Sequence, residues 1–188
     1  MSSLNPNPDK WLDALRAVQA AIDKLEGAVI GGVAVSARSV ARFTKDIDAV
    51  CWQGDRNYGE VLAVLESVGL RPRSSDPVAF VKKTRVFPMV HEDSSIEVDI
   101  SLGALPFERD LIDRAGTVSI GGLDVRIASV EDLVVLKLIA GRPHDLGDVD
   151  QLVKVNPDLD RGYVRALVTQ FAHLLEVQEI MDNMDRLL

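Results

Sequence analysis

Two aspartates and a pair of glycines have residue types and a spacing that could bind a metal ion and an anion. Asp46 and Asp48 are separated by one apolar residue. Gly31 and Gly32 precede them in the chain. Side chains two residues apart in a strand project from the same face, so the two carboxylates should point the same way. Neighbouring carboxylates repel each other unless cations neutralise them, and their oxygens suit Mg²⁺ or Mn²⁺. The pair therefore predicts a metal site.

A third carboxylate, Asp99, lies in a later apolar stretch that alternates in the same way. If the two strands are neighbours, Asp99 can complete the site. Three carboxylates suit two cations about 3.5–4 Å apart, one on the leaving phosphates of a triphosphate and one on an attacking hydroxyl. Asp99 can also serve as general base for that hydroxyl. Glu97 shares its face and stays open as an alternative third ligand, with Asp99 preferred on the motif.

Gly31 and Gly32 follow a short apolar run and precede a helical pattern. Glycines let a phosphate approach the backbone, and the start of a helix offers unpaired N–H groups. These features predict a site for a triphosphate tail. Each part alone is weak, because a glycine pair is more often a simple turn and Asp-x-Asp occurs by chance in surface strands. Their order and spacing together are more specific.

Apolar periodicity predicts the elements that position these residues. Strands are expected at residues 28–30, 46–52, 78–90 and 96–101, with a two-stranded ribbon at 117–127. Helices are expected at residues 9–25, 33–41, 58–68, 106–115, 145–155 and 160–175, with another between Ser129 and Pro143. The fold class is α/β (α+β), a mixed sheet flanked by helices. We predict disorder for residues 1–8, a core at 9–127, and a helical part at 128–188 that packs on it.

Charge and composition argue against several classes of protein. The formal net charge of −8 speaks against a protein that coats nucleic acid. No apolar run approaches the roughly 20 residues that span a bilayer, and no signal peptide is recognised. The single cysteine, Cys51, lies in an apolar run and is predicted to be buried. We therefore expect a cytoplasmic protein with no membrane contact.

The motifs together resemble the DNA polymerase beta-like nucleotidyltransferase superfamily. The resemblance rests on the glycine pair, on Asp46-Ile47-Asp48 and on Asp99 between apolar residues. Within the superfamily, residues 30–35, 42–48 and 131–148 resemble the AbiEii-type toxins and related small bacterial proteins. The resemblance implies a mixed sheet flanked by helices and Mg²⁺ held by the three aspartates. It also implies transfer of a nucleoside monophosphate from an NTP, in the toxins often to tRNA, with an antitoxin encoded alongside.

Four further residues are candidates for contact with the nucleotide. Arg42 and Thr44 precede the aspartates and either contact phosphate or cap and pair locally. The family resemblance makes Lys137 a candidate phosphate contact and places Asp145 near the site. For Lys137 and Asp145 an ordinary solvated or helix-start role is equally open. For Asp148 we favour the helix-start role.

Three functions compete for this sequence. The leading one is a metal-dependent enzyme that transfers a nucleotide to a hydroxyl of tRNA, protein or a small molecule. The family resemblance adds that such an enzyme can be the toxin of a toxin-antitoxin pair. The second keeps the fold as a nucleotide-binding or regulatory module without turnover. The third is a structural α/β protein whose acidic strand residues face solvent, and it predicts no metal affinity.

Overall fold

The structure is a computed structural model that describes residues 8–40 and 44–188. The disorder predicted for residues 1–7 lies outside the described residues, while Pro8 begins the first helix. The chain divides into two compact units. One comprises Met1–Val33 and Thr44–Ile127, and the other Ala34–Phe43 and Ala128–Leu188. Each unit is described by itself.

The first unit is built around seven strands in the described part of the chain. The strands are β1 Gly27–Ile30, β2 Asp46–Trp52, β3 Leu70–Pro72, β4 Val86–His91, β5 Glu97–Gly103, β6 Gly116–Ile120 and β7 Leu123–Ile127. Its helices are α1 Pro8–Leu25, α3 Tyr58–Glu66, α4 Pro77–Thr84 and α5 Pro106–Arg114. The boundary between units falls within α2, Gly31–Arg38, after Val33.

The strands form one mixed sheet in the order β3-β4-β5-β2-β1-β7-β6. The β2–β5 and β1–β7 pairs are parallel, and the other neighbours are antiparallel. Strands β4 and β5 form an antiparallel hairpin, and β6 and β7 form the predicted two-stranded ribbon. The α/β fold class, with a mixed sheet flanked by helices, is therefore confirmed.

The pleat of the sheet separates a packed face from a polar one. On β2, Ile47 and Ala49 are fully buried. On β5, Val98 and Ile100 are fully buried and are their register partners. The alternate residues carry the carboxylates. Helix α1 packs against β1, β2 and β7, and its apolar stripe, which includes Leu15, is buried. Burial of these side chains stabilises the strands that carry the site.

The strand predicted at residues 78–90 is wrong over its first half, where the chain forms α4. The Asp76 carboxylate caps the helix by accepting a hydrogen bond from the Ala79 N–H at 3.0 Å. Pro77 supplies a favourable first helical residue. These start signals outweigh the β propensity of the valines and phenylalanine that follow. Arg85 ends α4 in the left-handed conformation, with φ 59°, before β4 begins.

Other differences are smaller. The second predicted helix begins at Gly31 rather than residue 33 and ends at Arg38, and residue 41 lies outside the described residues. The short strand β3 is not predicted, because three residues carry too little periodicity. Cys51 is buried as expected, and burial raises the pKa of its thiol to about 12. Among the described residues, no helix has both the length and the apolarity to cross a bilayer.

The described part of the second unit is helical. After the end of α2 it contains α6 Val130–Ala140, α7 Pro143–Val155, α8 Arg161–Leu175 and α9 Gln178–Leu187, of which α9 is not predicted. Ser129 caps α6 by accepting a hydrogen bond from the Asp132 N–H. Gly141 ends that helix at a positive φ of 64°. Pro143 then begins α7, so the interruption expected at this proline separates two helices.

Candidate active site

The parallel pairing of β2 with β5 brings the predicted carboxylates together. Asp48 is the register partner of Asp99, and Asp46 is the register partner of Glu97. Neighbouring strands lie about 4.8 Å apart, and side chains directly across from each other share a face. The four carboxylates therefore occupy one face, at the start of both strands. Asp99 reaches this place because β5 is adjacent to β2, which is the condition that the sequence left open.

Gly31 explains why the Asp48 carboxylate can lie where it does. Gly31 is the first residue of α2 and has a φ of +65°, a conformation that favours glycine. A Cβ on Gly31 would lie 2.0 Å from Oδ2 of Asp48 and 2.7 Å from its Cβ. Any side chain at this position would therefore displace the carboxylate. In the structure Asp48 fills the space left by Gly31. The predicted contact of a phosphate with the backbone N–H groups of Gly31 and Gly32 stays a prediction.

The contact with Gly31 also has an electrostatic consequence. The Asp48 carboxylate lies against the first residue of α2, the end where the helix dipole is positive. A negative charge near a helix N-terminus is stabilised by about 0.3–1 kcal/mol at exposed positions. Gly32 is the second residue of the same helix and is partly buried. Helix α2 thus contributes both space and positive potential to the carboxylate face.

Arg73, just beyond β3, neutralises part of this face. Its Nη1 donates to Oε2 of Glu97 at 3.0 Å, and its Nη2 donates to Oδ1 of Asp99. Its Nε donates to the backbone oxygen of Met89 at 3.0 Å. Arg73 is not among the site residues predicted from the sequence. No local motif could identify its partners, because they become neighbours only through the order of three strands.

Carboxylates from two adjacent strands of one sheet offer the oxygen ligands that Mg²⁺ and Mn²⁺ prefer. Across the described residues, however, no three His, Cys, Asp or Glu side chains are already grouped to hold a metal ion. Asp99 is engaged by Arg73 instead. The carboxylate oxygens suit a divalent cation in kind, while the described residues hold no ready-made group of three ligands.

Two predicted nucleotide contacts precede β2. Thr44 lies within the described residues and is almost completely buried, with 9% of its surface exposed. Such burial agrees with a packed position before the first aspartate. Arg42 lies outside the described residues. Their contact with phosphate stays a prediction.

The other two predicted contacts, Lys137 and Asp145, pair with each other in the second unit. Lys137 Nζ lies 2.7 Å from Oδ1 of Asp145 and 3.0 Å from Oδ2 of Asp148. Arg142 Nε also donates to Asp145, at 2.5 Å. Asp145 is fully buried and Asp148 nearly so. This buried network joins α6 to α7, and Asp148 belongs to it although the sequence reading favoured an ordinary helix-start role.

Burial and hydrogen bonding oppose each other at Asp145. Burial alone raises the pKa of a carboxyl, because it disfavours the charged form. Hydrogen bonds from Arg142 and Lys137, together with their positive charges, outweigh that effect and hold the pKa of Asp145 below its usual value. The carboxyl is therefore ionised at neutral pH and anchors both cations.

Comparison with known proteins identifies the family. Residues 11–185 match a protein-family model described as "Nucleotidyltransferase of unknown function (DUF6036)". The chain belongs to this nucleotidyltransferase family. The expectation of a nucleotidyltransferase is thereby confirmed, while the particular closeness to AbiEii-type toxins is not shown. No curated protein sequence matches the chain significantly.

Solved structures share the fold of this nucleotidyltransferase. The solution structure of the antibiotic-resistance factor ANT(2'')-Ia has a TM-score of 0.56 and 20% identity, covering 91% of this chain and 96% of that one. The crystal structure of ANT(2'')-Ia with adenylyl-2''-tobramycin has a TM-score of 0.53 and 20% identity, with coverages of 90% and 99%. An antigenic nucleotidyltransferase-like protein from Paracoccidioides brasiliensis has a TM-score of 0.54 and 15% identity, with coverages of 96% and 94%.

We expect Gly31→Ala to destabilise the protein by about 1–3 kcal/mol, because it adds strain at a positive φ and a clash with Asp48. Gly147→Ala is the matched control, since Gly147 lies in α7 and a Cβ there has nothing within 4 Å. That substitution should be neutral or stabilising. Urea unfolding followed by circular dichroism measures both. Equal effects of the two substitutions would contradict the assigned role of Gly31.

We expect Asp145→Asn to destabilise the protein by about 3 kcal/mol at pH 7, because it breaks a buried ion pair. A lowered folded-state pKa means that the unfolded state binds more protons in acid. The contribution of Asp145 is therefore present above about pH 4 and is lost as pH falls through its folded pKa. The variant should show a flatter decline in stability below about pH 4.

The control for this prediction is Asp150→Asn on the same helix. Asp150 forms an exposed pair with Lys154 at 2.6 Å, and such pairs contribute about 0.3–0.5 kcal/mol. Urea unfolding at pH 7 and pH 3 compares the two variants. The role of the buried network is refuted if Asp145→Asn costs no more than Asp150→Asn.

Proposed function

We propose that this nucleotidyltransferase moves a nucleoside monophosphate from an NTP to a hydroxyl acceptor, with Mg²⁺ or Mn²⁺ held by Asp46, Asp48 and Asp99. The observation that carries the proposal is the register of Asp48 with Asp99, beside a glycine whose missing side chain leaves room for the carboxylate. A solvent-facing pair of acidic residues would not require that glycine. Membership of the nucleotidyltransferase family supports the same reaction.

The reaction needs a deprotonated acceptor and charge stabilisation on the phosphates. The acceptor oxygen forms a bond to the α-phosphorus of the NTP, and the bond from that phosphorus to the bridging oxygen breaks, releasing pyrophosphate. Asp99 is proposed to receive the proton of the hydroxyl as general base. A divalent cation, when bound, would polarise the phosphoryl oxygens and lower the pKa of the hydroxyl. Asp46 and Asp48 hold their carboxylates toward the reacting groups.

Several further residues enter the proposal as phosphate contacts. Gly31 and Gly32 are the first two residues of α2. Their backbone N–H groups are proposed to contact phosphate, because the N-terminal end of a helix favours an anion. Arg42 and Thr44 come from the segment before β2. Lys137 has three N–H donors, of which two face Asp145 and Asp148. Lys137 and Asp145 are proposed as nucleotide contacts on the family resemblance alone.

The acceptor decides the biological role. ANT(2'')-Ia has been solved in complex with adenylyl-2''-tobramycin, which is a small molecule. A tRNA acceptor, a toxic activity and a cognate antitoxin rest on the sequence resemblance to AbiEii-type toxins. The net charge of −8 favours a small molecule or a protein over extended contact with RNA. We therefore propose a small molecule or a protein as the hydroxyl acceptor ahead of RNA.

We expect the double variant Asp46→Asn with Asp48→Asn to lose nucleotidyl transfer at least ~100-fold, because charge stabilisation on the phosphates is lost. The assay incubates each α-³²P-labelled NTP and Mg²⁺ with the full chain and with aminoglycosides, cell protein or tRNA. Asp124→Asn, an exposed strand carboxylate outside the site, is the control. Comparing Asp99→Asn with Glu97→Gln tests which residue is the third ligand.

The outcomes separate the competing functions. Transfer that survives in the double variant would refute the site. Transfer absent from the unmodified chain with every acceptor, but with Mg²⁺-dependent NTP binding retained, would favour a binding or regulatory module. Absence of both metal and NTP binding would support the purely structural alternative.

A further inference from the structure

Arg73 lies in line with the carboxylates across the sheet. Asp48 pairs with Asp99 in register, and Asp99 pairs with Pro88. The Arg73 N–H donates to the backbone oxygen of Pro88 at 2.8 Å, which continues the pairing of β3 with β4 by one residue. The row therefore runs from Asp48 through Asp99 and Pro88 to Arg73. The compact, apolar ring of Pro88 lies between the arginine and the carboxylate that it contacts.

The guanidinium is held at three places. Nε donates to the Met89 oxygen at 3.0 Å, Nη1 to Glu97 at 3.0 Å, and Nη2 to Asp99. The first contact is to the main chain and does not depend on either carboxylate. Arg73 is thus anchored to β4 while its outer nitrogens contact the two acidic residues of β5. About a third of the Arg73 side chain is exposed to solvent.

These contacts reduce the repulsion between the carboxylates. Four carboxylates face the same side of β2 and β5, and like charges on neighbouring strands are destabilising. Arg73 offsets part of that repulsion through Asp99 and Glu97. A divalent cation on the same carboxylates would offset it too. Both cations compete for the Asp99 oxygens, and each disfavours the other by charge repulsion.

We propose that Arg73 is a built-in counter-cation of the site, and that a divalent cation binding at Asp46, Asp48 and Asp99 displaces the Arg73 contact with Asp99. This inference rests on the proposed function. The guanidinium then stays on Met89 and Glu97, which hold it next to the site. Glu97 is accordingly assigned to the arginine, and Asp99 to the metal.

Removal of the competitor should strengthen cation binding. We expect Arg73→Gln to bind Mn²⁺ about two- to five-fold more tightly than the unmodified chain, the range that a partly exposed ion pair allows. Arg73→Lys, which keeps the positive charge, should bind Mn²⁺ close to normally. Isothermal titration calorimetry of the full chain measures these affinities without any need for turnover.

Arg71→Gln is the matched control. Arg71 lies two residues earlier, on β3, and forms an exposed ion pair with Glu92. Its removal should leave Mn²⁺ affinity unchanged. A thermal melt gives a second readout, since Arg73→Gln should lower the melting temperature without a divalent cation, and this deficit should shrink in saturating Mg²⁺. A merely structural role for Arg73 would leave the deficit unchanged by Mg²⁺.

The results distinguish this inference from the proposed function. If the unmodified chain binds Mn²⁺ and Asp48→Asn abolishes that binding, the metal site stands. Unchanged or weaker Mn²⁺ binding by Arg73→Gln would then overturn the counter-cation alone. If neither the unmodified chain nor any variant binds Mn²⁺, the proposed metal site fails and the inference falls with it.

Discussion

The parallel pairing of β2 with β5 is the constraint on which the site depends. It sets Asp48 opposite Asp99 and Asp46 opposite Glu97, an arrangement that electrostatics disfavours by itself. Burial of the apolar side chains on the opposite face of the same strands offsets this repulsion. Since side chains alternate along a strand, a shift of one residue in either strand would exchange the two faces and bury the carboxylates. Packing of the core therefore fixes the position of the site.

Gly31 and Arg73 both reduce the cost of placing several carboxylates on one face of the sheet. Gly31 leaves room for Asp48 and begins a helix whose positive end lies against it. Arg73 reaches Asp99 and Glu97 from the other side, across β4. In our proposal, Arg73 supplies part of the positive charge that a bound metal ion would otherwise bring to these carboxylates.

The sequence predicts those parts of the fold and site that depend on local pattern. β2 and its paired aspartates follow from alternation alone, and the glycine pair from its place between strand and helix. Asp99 required knowledge of which strands are neighbours, and Arg73 required the order of three strands. Helix α4 was misread because valine and phenylalanine favour strands, whereas Asp76 and Pro77 start a helix. The burial of Lys137 depends on helix packing, which periodicity does not reveal.

The central claim is that Asp48 and Asp99 together hold the cation that nucleotidyl transfer uses. Crystals of the full chain grown with Mn²⁺ and a non-hydrolysable NTP test it most directly, because manganese is identified by its anomalous scattering. The account predicts an anomalous peak within about 2.5 Å of oxygens from both aspartates, with the triphosphate beside it. A manganese ion bound elsewhere, or a triphosphate bound away from these carboxylates, would contradict it.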